Sequence, residues 1–186
     1  GENVAVGTEA GTALTTGTAN IAIGDDALKT DTVGSRSVAI GYQALTTQNP
    51  ATATNMYNIG VGYLAGTAIT TGTNNTLVGS ISGDALTTGS ENVAYGYGSL
   101  STDDVGSKST AIGFDALRNQ NYTTATDSYN VAVGYDAGLS ITTGTDNTLI
   151  GGLAGDALTT SEFNVAVGKS ALSSDTQGSY NTGIGA

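Results

Sequence analysis

"NVAVG" at residues 3–7 returns as "NIAIG" at 20–24, "SVAIG" at 37–41, "NIGVG" at 58–62 and "NTLVG" at 75–79, and six further copies end with "NTGIG" at 181–185. The closing glycines are Gly7, Gly24, Gly41, Gly62, Gly79, Gly96, Gly113, Gly134, Gly151, Gly168 and Gly185. Their intervals along the chain run 17, 17, 21, 17, 17, 17, 21, 17, 17 and 17. The two long intervals start at Gly41 and at Gly113, and "SVAIGYQALTTQNPATATNMYNIGVGY" (37–63) matches "STAIGFDALRNQNYTTATDSYNVAVGY" (109–135). Two periods are therefore nested: a unit whose length is 17 or 21, and a super-repeat of four units. Fixed self-similarity at this scale marks a solenoid or fibre.

The second half of each unit follows one of two patterns, "AGTALTTG" (10–17) or "ALKTDTVG" (27–34). The spacing predicts two short strands per unit, each closed by a glycine turn. No 3.6-residue apolar stripe supports a helix. One short coil cannot bury enough surface to fold alone. Coils stacked at about 4.8 Å pair their backbones in parallel sheets, so about 11 coils would make a rod roughly 50 Å long. The expected fold is all-β: a parallel β-solenoid formed by one repeat array over 1–186. The array begins and ends inside a repeat and reads as a slice of a longer fibre.

Strand side chains alternate between faces. The second and fourth pentapeptide positions, such as Val4/Val6 and Ile21/Ile23, form a β-branched wall suited to a coil interior. The third position faces the other way and holds Ala5, Ala22, Ala39, Gly60, Leu77, Ala94, Ala111, Ala132, Leu149, Ala166 and Gly183. Strands that are apolar on both faces are usually covered on both. This column is thus expected to be a subunit interface, its small residues allowing close approach. The first position is Asn3, Asn20, Asn58, Asn75, Asn92, Asn130, Asn147, Asn164 and Asn181, with Ser37 and Ser109 in the other two copies. Stacked Asn side chains predict a hydrogen-bonded structural ladder. The segments at 48–57 and 120–129, one containing Pro50, are expected to bulge from the rod, because a ladder strand tolerates Pro poorly.

The phrase N-x-A-[VI]-G-x-x-A, as in "NIAIGDDA" (20–27) and "SVAIGYQA" (37–44), resembles the head repeats of trimeric autotransporter adhesins, the YadA-like or haemagglutinin-type repeat. It is also similar to arrays in phage and bacterial tail-fibre-like proteins. The resemblance implies a left-handed β-roll, three chains side by side, and a surface-exposed fibre that binds host surfaces or matrix. Both unit lengths in this chain exceed that of the usual adhesin head coil. The motif brings with it no catalytic residue.

Composition narrows the chemistry. With 5 Lys+Arg against 16 Asp+Glu and a net charge of −11, the chain lacks the basic clusters that nucleic acid requires. It has no Cys and no His, so the common nucleophile–base pairs and thiolate metal sites are missing. No run of about 18 apolar residues spans a membrane. The paired carboxylates Asp25/Asp26 and Asp103/Asp104 would need a shaped cleft to act together. Calcium is weakly indicated, since the acids scatter where a calcium solenoid would repeat them in every unit. Thr pairs at 15–16, 70–71, 87–88, 142–143 and 159–160 raise an ice- or mineral-binding reading, though other coils interrupt the file. Tyr57, Tyr63, Tyr129 and Tyr135 are candidate ligand contacts through ring stacking; bracing coil edges is their simpler role. The expectation is a non-enzymatic, cofactor-free segment of an extracellular fibre on a cell surface or virion. It would associate as a homotrimer and bind a host glycan or matrix protein. A monomeric ice- or mineral-binding solenoid and a purely structural filament are the alternatives.

Overall fold

The computed structural model describes residues 1–186 and contains strands and turns but no helix. Its spine is one parallel sheet of eleven three-residue strands. They are Val4–Val6, Ile21–Ile23, Val38–Ile40, Ile59–Val61, Thr76–Val78, Val93–Tyr95, Thr110–Ile112, Val131–Val133, Thr148–Ile150, Val165–Val167 and Thr182–Ile184. Each belongs to one pentapeptide and defines one coil, numbered 1 to 11. The register follows the repeat without slippage: Val4 pairs with Ile21, Ala5 with Ala22, and Val165 with Thr182.

The pentapeptide glycine ends each strand with φ between +120° and +144°. A Cβ there would fall 2.2–2.5 Å from the carbonyl oxygen of the next coil's glycine, in every coil but the last. Only Gly combines that backbone angle with that approach.

The second half of the coil differs from the expected second strand. It is a run of successive turns, with Ala10 N–H on Gly7 O, Thr12 N–H on Glu9 O and Leu14 N–H on Gly11 O. Left-handed residues recur two and four positions after the pentapeptide glycine, as at Asp26 and Leu28 or Asp115 and Leu117. Non-glycine residues rarely adopt this conformation. Here the neighbouring coil holds it: Asp26 N–H donates to Thr8 O at 2.9 Å and Leu28 N–H to Ala44 O at 3.0 Å.

The inner and outer faces of the strand are the reverse of the expected assignment. Ala22, Ala39, Leu77, Ala94, Ala111, Ala132, Leu149 and Ala166 are 0 % exposed inside the single chain and belong to its core. Only Ala5, in the end coil, is open. These residues therefore have no surface to offer another subunit, and the β-branched positions point outward instead. The cause is the narrowness of the coil. Large side chains reach the interior from the opposite wall, leaving room for Ala or Gly at the strand. At Gly60 a Cβ would lie 2.8 Å from Leu45 Cγ, and at Gly183 it would lie 2.9 Å from Leu172 Cγ.

Two columns on that opposite wall exclude each other. Four positions after the pentapeptide glycine stand Gly11, Leu28, Leu45, Gly66, Gly83, Leu100, Leu117, Gly138, Gly155 and Leu172. Seven positions after it stand Leu14, Asp31, Gln48, Ile69, Leu86, Asp103, Gln120, Ile141, Leu158 and Asp175. Wherever the first column is Leu the second is Asp or Gln; wherever the first is Gly the second is Leu or Ile. Two successive glycines leave a gap, and the strand fills it with its own Leu. A Cβ on Gly66 would be 2.7 Å from Leu77 Cδ1, and one on Gly155 would be 2.7 Å from Leu149 Cδ2.

The buried polar members are paired. Asp103 accepts from Gly106 N–H at 2.9 Å and from Gln120 Nε2 at 2.7 Å. Gln120 in turn accepts from Asn130 Nδ2 at 2.9 Å. Gln48 makes the equivalent bonds to Asp31 and Asn58.

The two longer units project less than expected. Residues 51–53 and 123–125 are exposed, but Gln48, Pro50, Met56, Gln120, Tyr122 and Ser128 are buried. Thr54–Asn55 rejoins the stack beside Gly34–Ser35, as Thr126–Asp127 does beside Gly106–Ser107. Pro50 occupies the place of Tyr122, whose hydroxyl donates to Gly144 O at 2.7 Å.

Candidate interaction surface

The outward side of the sheet is an apolar plateau. Its two files are the second and fourth pentapeptide positions, and Thr76, Thr110, Thr148 and Thr182 are the only polar members apart from the Tyr95 hydroxyl. Ile23 (37 %), Ile40 (36 %), Ile112 (37 %) and Ile150 (41 %) are open, and Tyr95 (58 %) stands above them. Monomeric proteins rarely expose a continuous apolar patch beyond a few hundred Å². Eleven strands spaced at about 4.8 Å, each about 10 Å long, give roughly 500 Å² for the files alone.

Two side-chain rails flank the plateau. The trailing rail directly follows the pentapeptide glycine. In it Tyr42 stacks on Tyr63 at 5.5 Å between ring centres, and Phe114 stacks between Tyr97 and Tyr135 at 5.2 and 5.4 Å. These rings stack face to face along the rod and remain exposed at their edges. The leading rail directly precedes the pentapeptide, and all its residues from Ala19 to Tyr180 have left-handed φ between 50° and 65°. In it the Arg36 guanidinium lies 5.7 Å from the Tyr57 ring centre, with Nη1 donating to the Tyr57 hydroxyl at 2.9 Å. Lys108 Nζ lies 5.2 Å from the Tyr129 ring centre and donates to Asp127 at 2.5 Å. Those bonds hold the ammonium pKa above its ordinary value. Phe163 and Tyr180 stack at 5.0 Å. The four Tyr ligand candidates are thus all exposed, Tyr57 and Tyr129 on the leading rail and Tyr63 and Tyr135 on the trailing rail.

The Asn column runs inside the coil wall as a staircase. Each side-chain oxygen accepts the backbone N–H of the next coil's first position: Asn20 on Asn3 at 2.8 Å, Asn75 on Asn58 at 3.0 Å, Asn164 on Asn147 at 3.1 Å and Asn181 on Asn164 at 2.9 Å. The side-chain N–H₂ donates to the carbonyl at the end of its own coil, as Asn92 does to Gly106 O and Asn130 to Gly144 O, except at Asn181, which donates to the Asp175 carboxylate.

The carboxylate pairs diverge. Asp103 is buried and Asp104 is half-buried; Asp25 is exposed, while hydrogen bonds from Lys29 and Gln43 hold the Asp26 carboxyl below its usual pKa. Burial pushes the Asp103, Asp84 and Asp156 carboxyls upward, and burial together with the nearby Asp115 does the same for Asp136. No three acidic residues converge as metal ligands, and the surface has no pocket. The first Thr of each pair spends its hydroxyl on the stack, with Thr15 donating to Thr32 O at 2.9 Å and Thr159 to Thr176 O at 2.9 Å.

Comparison with protein-family models, with curated proteins and with solved structures finds no match to this chain.

Proposed function

We propose that the chain is a structural and adhesive segment of an extracellular fibre, carried on a cell surface or virion, whose copies associate as a homotrimer through the plateau. The observation behind this reading is the exposed apolar face of eleven aligned strands. Water contact along that face is unfavourable by about 25 cal/mol per Å², so covering it favours association. The resemblance to adhesin head repeats supports three copies, a left-handed wind and a host glycan or matrix protein as partner. No cofactor and no catalysis belong to this reading. Native mass spectrometry of the 186-residue chain tests it: three copies are expected, and a single copy at micromolar concentration contradicts it. Binding to glycan or matrix arrays separates an adhesive segment from a purely structural filament. Thermal hysteresis would instead favour ice binding.

A further inference from the structure

We propose that Asn121 is an acceptor for an asparagine-linked sugar, transferred from a phosphate-activated hexose. Asn121-Tyr122-Thr123 is one of two places where the chain reads Asn-x-Ser/Thr with x other than Pro; the other is Asn74-Asn75-Thr76. The motif works as an acceptor on a surface loop, where an enzyme reaches both the amide and the hydroxyl.

The two copies are presented differently. Asn121 opens the segment by which the longer unit leaves the stack. Its backbone N–H donates to Thr142 O at 2.8 Å, and the buried Tyr122 donates its hydroxyl to Gly144 O at 2.7 Å, so the start of the segment is anchored. Tyr122 turns inward, while Asn121 and Thr123 on either side of it are exposed. The N–H groups of Thr123, Thr124 and Ala125 find no backbone partner, so a transferase can take up this stretch without parting two coils. The Asn121 amide is unengaged too. At the equivalent Asn49 the side-chain oxygen accepts from Thr32 Oγ1 at 2.9 Å, but Asp104 stands where Thr32 would, and that hydroxyl donor is lost. Asn49 itself is no acceptor, since Pro50 and Ala51 follow it. Asn74 is built into the stack. Its N–H donates to Met56 O at 2.8 Å and its Nδ2 to Thr73 Oγ1 at 3.1 Å; Asn75 is fully buried, and Thr76 N–H donates to Asn92 O at 2.8 Å. Coils 4 and 6 thus hold that motif from both sides.

In the transfer the Asn121 amide nitrogen bonds to the anomeric carbon of the hexose. The bond from that carbon to the donor's phosphate oxygen breaks, its electron pair leaving on the phosphate, and the amide gives one proton to a base of the transferase. Asn121 belongs to neither plateau file and to neither rail, so the proposal stands apart from self-association.

The test uses UDP-glucose and a soluble asparagine glucosyltransferase selected because it modifies the free peptide 117–127. The folded chain is treated, and intact mass with peptide mapping counts and places the hexoses. The expected result is one hexose, on Asn121, lost in Asn121→Gln and in Thr123→Val and kept in Asn74→Gln. Circular dichroism checks that each variant keeps the parent's fold. An unmodified folded chain beside a modified peptide, or a hexose carried on Asn74 instead, overturns the proposal and leaves the copy number of the chain untouched.

Discussion

The two faces of the same eleven strands carry opposite designs. The inner face is Ala, with Leu77 and Leu149 only where paired glycines make room. The outer face carries larger Val and Ile side chains, yet it is the face left open. Bulk does not decide which side of a strand is interior. What decides it is the width of the coil and the side chains arriving from the opposite wall. The single chain leaves these large β-branched residues open.

Adjacent residues break this comparison most sharply. Ala94→Asp places a carboxylate in the core and is expected to cost several kcal/mol, opening neighbouring coils because each stabilises only the next. Val93→Asp, one residue away on the plateau, should leave the isolated coil stable to within about 1 kcal/mol while weakening association. Urea unfolding followed by circular dichroism at dilution, together with mass in solution, reads both. Equal losses of coil stability would mean that the faces are not distinct.

The interior columns offer a second cut. Leu77→Ala should lose about 2–5 kcal/mol through the cavity it leaves. Gly66→Leu alone should also destabilise, since Leu77 Cδ1, Leu45 Cδ2 and Ile69 Cδ1 all border the space it needs, with Leu77 Cδ1 nearest. Combined, the two should recover about 0.5–3 kcal/mol relative to the sum. Leu45, left-handed at the equivalent site, shows that Leu is compatible with that backbone. Additive losses in a double-mutant cycle would show that a side chain at position 66 and the Leu77 side chain do not share one space.

A smaller effect comes from pH. Asp103, Asp84, Asp136 and Asp156 have folded pKa values raised above the ordinary carboxylate value. Their contribution to stability is full below that ordinary value and is lost as pH rises through the raised values. The melting temperature should therefore increase as pH falls from 7 towards the carboxylate range, and Asp103→Asn should flatten part of the rise. A melting temperature that fell over the same interval would contradict the buried-carboxylate account. The smallest change should follow Lys29→Gln, which removes the exposed ion pairs with Glu9 and Asp26 and should leave the melt nearly unchanged.

The period, the parallel stacking, the register and the Asn column were all legible in the sequence, because each leaves a residue at a fixed phase. The inner and outer faces were not, since Ala and Val alternate without saying which side the far wall approaches. The second half of the coil misled for a different reason: left-handed Leu28, Leu45 and Leu117 carry no glycine to announce a turn. The rule linking the two interior columns was present in the sequence. It becomes visible only once the fourth and seventh positions after each pentapeptide glycine are compared across coils. The rails needed the structure to show that residues before and after the pentapeptide border one open face.

The central claim is that the plateau, and not the alanine column, joins copies of the chain. Light scattering on the parent and on Ile40→Lys combined with Ile112→Lys tests it most directly, with circular dichroism as the check on the coil. The account predicts a multi-chain parent, a single-chain variant and the same β signature in both. A variant that keeps the parent's multi-chain mass, or a parent that is already a single chain at micromolar concentration, would contradict it.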